Sequence, residues 1–422
     1  MVTWSKNSSG QYLVSSISHL LQLMWKGTLY SNTGTVPTNF WDSSYLQTVD
    51  IDLNGYHSYI KPIGVFQDSF TGEYDGGLKQ IKNWAYSGGE SYAGLFGSCN
   101  PAILKHIRLS GVWTLTAGQY AGFFLAGYTY NSDIYDVEGN FSAGSRINGN
   151  SSNIGGLIGN ASSSSVCTGI TLRGTMEIEH DASAYIGGMF GSFGYASIEL
   201  CRNLASFPLG LKGTNYVGGL IGRCVSPNKF YECLNAMQGD LTGVNVGGIA
   251  GSLYYGRNAY GNVVNSMMGN ITSTGTAGGM FGFMNVSDNA ISDCTRLLNY
   301  MKGNVVGSTA SGGFTGKIDR LSASGDASKY GDVKITKSVV AMQGAVGHSV
   351  RASQNFTPSI VEVSVDTSFG MTYSGNNDYG LATMVTDNGL YYPSGFTDLP
   401  YFILSGTDAI GTSYKWDFVY GN

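Results

Sequence analysis

A seven-residue phrase, Tyr216-Val217-Gly218-Gly219-Leu220-Ile221-Gly222, recurs along this chain at a nearly constant interval. Clear copies stand at 92–97 (YAGLFG), 153–159 (NIGGLIG), 185–191 (YIGGMFG), 245–251 (NVGGIAG) and 276–282 (TAGGMFG). Looser ones stand at 120–127 (YAGFFLAG), 310–316 (ASGGFTG) and 343–347 (QGAVG). The closing glycines fall at 97, 127, 159, 191, 222, 251, 282, 316 and 347, so the gaps run between 29 and 34 residues. Nine copies at so steady a spacing require a stacked array in which each repeat packs on its neighbours.

The phrase itself says what is stacked. Three glycines in seven residues would cost a helix about 3 kcal/mol relative to alanine. As one extended strand, Val217, Gly219 and Ile221 would share one face and Gly218, Leu220 and Gly222 the other. Apolar groups on both faces predict a strand covered on both sides, as in buried parallel sheet. The glycines predict close approach of a neighbouring layer, with no room for a Cβ at Gly219 and its equivalents.

A second landmark follows each phrase by about ten residues: Ile198-Glu199-Leu200-Cys201-Arg202-Asn203, Phe230-Tyr231-Glu232-Cys233-Leu234-Asn235, and Ile291-Ser292-Asp293-Cys294, with Asn265 in the asparagine place between the last two. Stacked asparagine amides and small apolar residues suit a solenoid interior, where like groups meet from coil to coil. A third is a later glycine turn at Gly139, Gly174, Gly239, Gly269 and Gly303. Each repeat therefore reads as several short strands joined by turns. The expected fold is all-β, a parallel β-solenoid of about nine repeats near 31 residues each.

The 422 residues carry a net charge of −5, only 12% charged side chains, 13% aromatics, 28 tyrosines, and 62 glycines against 8 prolines. High aromatic content with little charge argues against disorder despite the glycine. No Lys/Arg run is present, which excludes nucleic acid as an expected partner. The six cysteines, Cys99, Cys167, Cys201, Cys224, Cys233 and Cys294, form no Cys-x-x-Cys pair, and several keep the repeat register. They are expected as buried free thiols. No apolar run reaches transmembrane length, so no membrane insertion is expected. The chain starts at Met1 without the apolar run of a secretory leader.

Residues 1–48 differ from the rest and are expected to form an N-terminal cap. Within 15–25 (SSISHLLQLMW), Ile17, Leu20, Leu21 and Met24 recur at helical spacing behind a serine cap, predicting a short amphipathic helix. Then come Asp50-Ile51-Asp52-Leu53, Pro62-Ile63-Gly64 and Phe70-Thr71-Gly72-Glu73-Tyr74-Asp75-Gly76. Helix, acidic-Ile-Asp-Leu strand, Pro-Ile-Gly, aromatic-Asp-Gly turn and phrase array together resemble the bacterial surface and secreted proteins bearing the GLUG motif. The resemblance covers about residues 12–347. The chain departs from the pattern in the extra residues of 120–127, in Thr315, and in Ala345-Val346. The resemblance implies a β-solenoid in an adhesive or structural surface role and brings no catalytic site. The array is assigned to 49–347, and 348–422, with strand-like runs at 360–365 and 400–404, to a C-terminal β cap or attachment module.

Three features of the chain bear on catalysis. His19, His57, His106, His180 and His348 lack metal-ligand spacing, so neither a metal nor another cofactor is expected. Gly312–Lys317 looks like a phosphate loop but lacks the Ser/Thr after lysine and keeps the array register. Glu177, Glu179 and Asp181 would share one strand face, which admits a glycosidase-like carboxylate pair or a plain solvated face. Aromatics cluster after the phrases: Tyr128 and Tyr130, Phe193 and Tyr195, Phe230 and Tyr231, then Tyr254, Tyr255 and Tyr260. Stacking would align them either as a binding stripe for sugar or protein or as an internal aromatic row.

These features lead to a non-enzymatic protein of a virion, a fibre, spike or capsid-attached component that binds a host-surface glycan or protein or another virion protein. The virion expectation rests on the missing leader. A bacterial cell-surface adhesin is the second reading, extracellular in place, and a polysaccharide-degrading tailspike the third. Self-association is left open.

Overall fold

The computed structural model describes residues 1–320 apart from 89, 128, 150–151, 181–184, 255–259, 287–290, 302 and 313–314; beyond 320 it describes only the strand segments 332–336, 339–342, 346–347, 360–363, 402–405 and 415–418. The chain is a β-solenoid of about nine turns, with almost no helix. Consecutive phrases pair in parallel and in register: Tyr92 with Tyr120, Tyr120 with Asn153, Asn153 with Tyr185, Tyr185 with Tyr216, Tyr216 with Asn245, Asn245 with Thr276, and Thr276 with Ala310.

One coil shows the plan. Tyr216–Gly218 lies in the first sheet, Ile221–Val225 in a second, and Lys229–Tyr231 and Leu234–Asn235 in the third and largest. The chain then turns and re-enters the first sheet as Leu241–Gly247. The phrase is thus not the single extended strand its alternation predicts. It bends at Gly219-Leu220, and the bend lets Val217, Leu220 and Ile221 all point into the core.

Glycine makes that bend. A Cβ on Gly218 would lie 1.9 Å from the Ile221 carbonyl oxygen, and one on Gly222 would lie 2.5 Å from that of Gly191 in the coil before. Backbone packs on backbone at this corner. Gly219 is kept free for another reason, the asparagine landmark. The Nδ2 groups of Asn203, Asn235 and Asn265 donate to the carbonyls of Gly219, Gly248 and Gly279 at 2.6, 2.7 and 2.7 Å. Each amide crosses the interior to the phrase of the next coil. Asn235 also donates to Asn265 Oδ1 at 2.9 Å, and Asn265 to Asn299 Oδ1 at 2.8 Å. The buried Nδ2 groups thus find acceptors in the phrase carbonyls and in the next amide of the row.

The core consists of rows running from coil to coil. Ile154, Ile186, Val217, Val246 and Ala277 form one, and Ala161, Phe193, Cys224, Leu253 and Met284 another. Cys167, Ile198, Phe230 and Tyr260 form a third. Burying each large apolar side chain contributes about 1.5–3 kcal/mol against conformational entropy. The glycine landmark needs one correction. Gly139 pairs with Leu172, which pairs with Asn203, so Gly139 lies in the asparagine row, while Gly174 pairs with Phe141.

The expected helix spans Ile17–Met24, capped by Ser16, and buries Leu20, Leu21, Leu23 and Met24. Around it, Tyr12–Val14 pairs with Ser44–Gln47, which pairs with Glu73–Asp75, so the large sheet already begins inside the expected cap. In the C-terminal segment, Phe402–Ser405 and Lys415–Phe418 pair antiparallel. Cys99, Cys167, Cys201, Cys224 and Cys233 are buried and free; the Cys294 side chain lies outside the described residues. No helix among the described residues is long and apolar enough to cross a membrane.

Candidate functional site

The structure separates the aromatic residues singled out in the sequence. Phe193 and Tyr260 are fully buried in the interior rows, which corrects their expected place in a binding stripe. The reason is local: Phe190 and Phe193 both point inward although three residues apart, because the strand loses its alternation at Gly191, pressed against the backbone of Ile154 and Gly159. Tyr128 and Tyr255 lie outside the described residues. Tyr195 is 56% exposed and follows Gly194, which shares a register row with Val225 and Tyr254, but its backbone takes a left-handed turn there (φ 54°) and its carbonyl accepts from Asn228 Nδ2. Phe230 is core and Tyr231 is half-buried.

Tyr254 and Tyr130 remain, and both lie among rings that the sequence reading did not select: the first residues of the phrases. Tyr92 and Tyr120 stack at 4.8 Å between centroids with planes 13° apart, and Phe66 stacks on Tyr92 at 5.3 Å. Asn153 interrupts the row, then Tyr185 and Tyr216 resume it at 5.3 Å. The Tyr216 and Tyr254 hydroxyls hydrogen-bond to each other, and Phe283 follows Tyr254 at 5.7 Å. Tyr254 and Phe283 come from the second sheet, so the rings line a corner away from the Gly219-Leu220 bend, where first-sheet strands begin and second-sheet strands end.

One cation sits inside this corner. The Arg223 guanidinium lies 5.0 Å from the Tyr185 ring centroid and 5.2 Å from that of Tyr254, and its Nη1 donates to the Tyr185 hydroxyl at 3.5 Å. Arg223 has no carboxylate partner among the described residues, so ring faces stabilise its charge. Lys317 repeats the arrangement over Phe283 at 5.8 Å. Burial, then the hydrogen bond with Tyr216, pushes the Tyr254 hydroxyl well above the ordinary phenol value, while Arg223 pulls it down. Burial, then the neighbouring Tyr130 and Tyr185, also raises Tyr120. These phenols stay neutral at physiological pH. The corner therefore offers half-buried ring faces, neutral hydroxyls and a guanidinium. That set can stack on and hydrogen-bond to a ligand, but holds no paired acid and base.

The carboxylates lie on the large sheet instead. Glu177 and Glu179 flank the buried Ile178 and so share the solvent face of Val166–His180, beside Arg146 and Asn148 in register; Asp181 lies outside the described residues. Thr315 pairs with Phe281, which keeps the phosphate-loop lookalike within the array. Among the described residues no group of three His, Cys, Asp or Glu side chains is placed to hold a metal ion. The sequence signal for the corner was present but different: aromatics recur at the phrase's first position rather than after its end.

Fold and corner together define a class, a parallel β-solenoid repeat protein with an aromatic-cationic edge. No protein-family model matches the chain, and no curated protein matches it. Among solved structures, a crystal structure described as a "putative immunoglobulin A1 protease from Bacteroides ovatus" is similar at 17% identity and a TM-score of 0.42, over 81% of this chain and 85% of that one. So loose a likeness carries no argument about chemistry.

Proposed function

We propose that the chain is a non-enzymatic structural and recognition protein that holds its aromatic corner against a glycan on a host surface. The observation that carries this reading is the Tyr185–Tyr216–Tyr254–Phe283 row with Arg223 set between its rings. Such rings present broad contact area at low entropic cost, and their faces suit the C–H side of sugar rings while the hydroxyls and guanidinium suit the polar rim. The parallel register repeats the contact about every 4.8 Å, which suits a chain-like ligand laid along the axis.

The setting proposed is a virion fibre or spike, with a bacterial cell surface as the second. Either would use this edge in the same way. The test compares a folded Tyr185→Ala/Tyr254→Ala variant with wild type for attachment to host cells and to a glycan array. Loss of both supports the reading. Loss of cell attachment without any glycan hit would assign the corner to a protein partner, and equal attachment would remove recognition from it. Incubation with capsule or cell-wall polysaccharide is expected to release no reducing ends; release that Glu177→Gln or Glu179→Gln abolishes would establish an enzyme.

A further inference from the structure

The outer face of the large sheet carries a groove unrelated to the aromatic corner. Its floor is two coils wide. Ala85 pairs with Thr114, and the alternate positions Ser87 and Thr116 lie beside them, all of them short side chains. The next coil is taller, because Arg146 stands in register with Thr114 and Asn148 with Thr116. On the opposite side rises the single helical turn His57–Tyr59, which contributes His57 and Ser58. Short residues between two long rows leave a cavity of about 420 Å³, lined also by Tyr86 and Leu115.

Its chemistry is one-sided. Hydroxyls come from Ser58, Ser87, Thr114 and Thr116, and no carboxylate among the described residues lines the groove. Arg146 is exposed and forms no ion pair among the described residues, not even with Glu177, its register partner on the next strand. The buried Asn148 Oδ1 accepts no hydrogen bond among the described residues. A guanidinium without an anion, a buried acceptor without a donor and a hydroxyl-rich floor all lack the same complement.

We infer that this groove binds an acidic saccharide, with the sugar carboxylate on Arg146 and a sugar hydroxyl on Asn148. A planar carboxylate matches the guanidinium fork in two parallel N–H···O bonds. A sugar hydroxyl supplies the donor that Asn148 Oδ1 lacks once the half-buried side chain rotates toward the groove, and the Ser and Thr hydroxyls can donate or accept to the rest. Glu177 and Glu179, on the far side of Arg146, repel a second carboxylate placed beyond it and so fix the end at which the acid group sits.

The test is calorimetric titration of the whole chain with trigalacturonate, with its methyl ester, and with tetra-aspartate. Saturable binding of trigalacturonate is expected, weakened about tenfold or more by Arg146→Ala, by methylation and by raised salt, since the charged contact is partly exposed. Asn148→Leu should weaken it with no change in salt dependence. Arg146 is exposed, so its variant should keep the wild-type circular dichroism, and Lys212→Ala, an exposed change outside both sites, should bind as wild type. No saturable binding, unchanged affinity in Arg146→Ala, or equal binding of tetra-aspartate would overturn the inference. Loss in Tyr254→Ala would move the ligand to the corner and overturn it equally, whereas failure here leaves the corner reading untouched.

Discussion

A Cβ placed on Gly219 would lie 2.3 Å from both Asn235 Nδ2 and the Gly248 carbonyl oxygen. Neither neighbour can give way without breaking the amide-to-carbonyl bond they share. Gly219→Val is therefore expected to destabilise the fold by about 1–3 kcal/mol, read as a lower denaturant midpoint. Asn265→Leu should cost about 1–3 kcal/mol, because it removes one of the two donors to the Gly279 carbonyl and the acceptor of one Asn235 amide hydrogen. The need for glycine at 219 was legible in the phrase, and so was stacking of the asparagines. That one explains the other was not, because the partners are 16 residues apart in Asn203 and Gly219 and meet only once the coil closes. The thiols give a pH prediction. Burial raises those of Cys99, Cys167, Cys224 and Cys233, so their protons are held more tightly in the folded chain. Their contribution is complete below the unfolded thiol value of about 8.5 and is lost progressively as pH rises beyond it. The urea midpoint should fall between pH 8 and pH 10, less steeply in Cys99→Ala/Cys224→Ala, and native protein should resist thiol reagents until it unfolds.

Among the elements, the helix Ile17–Met24 was legible almost to the residue because its signals are local. Apolar spacing set its face, and Ser16 Oγ accepts from the His19 amide at 3.3 Å. Ser16→Ala should lower stability by about 0.5–2 kcal/mol, measurable as earlier loss of helical signal on heating. The strands were harder to read. Alternation assigns faces correctly only while a strand stays straight, and here Gly219 turns the chain through a corner while Gly191 and its equivalents reset the count. Phe193 and Tyr260 take the internal-row alternative rather than the binding stripe, and the ring row starting at Tyr92 went unread although its period is that of the phrase. Tyr254 bridges the two sets through its hydroxyl contact with Tyr216.

At the scale of the molecule, coils contact chiefly the coils next to them, so stability should scale with their number. Removing residues 216–244 joins Asn215 to Asn245 and presents Asn245 to Tyr185, in the register that Tyr216 had. This one-coil deletion should fold with unchanged β circular dichroism and a denaturant slope reduced in proportion to the surface lost. A deletion of half that length should not fold, since phrase strands would then meet the other side of the coil instead of another phrase. The parallel pairings also set how the molecule carries load. Hydrogen bonds between paired strands run across the strands, and here that direction is from coil to coil. Pulled end to end, the molecule loads one interface after another in series, and tensile strength is that of the weakest coil however many are stacked. Pushed sideways, it meets covalent backbone running around each coil, braced at the corners by glycine backbone in direct contact. Such a rod resists bending far better than stretching, and under tension it should shed coils one at a time from an end, as a row of equal force peaks in single-molecule pulling.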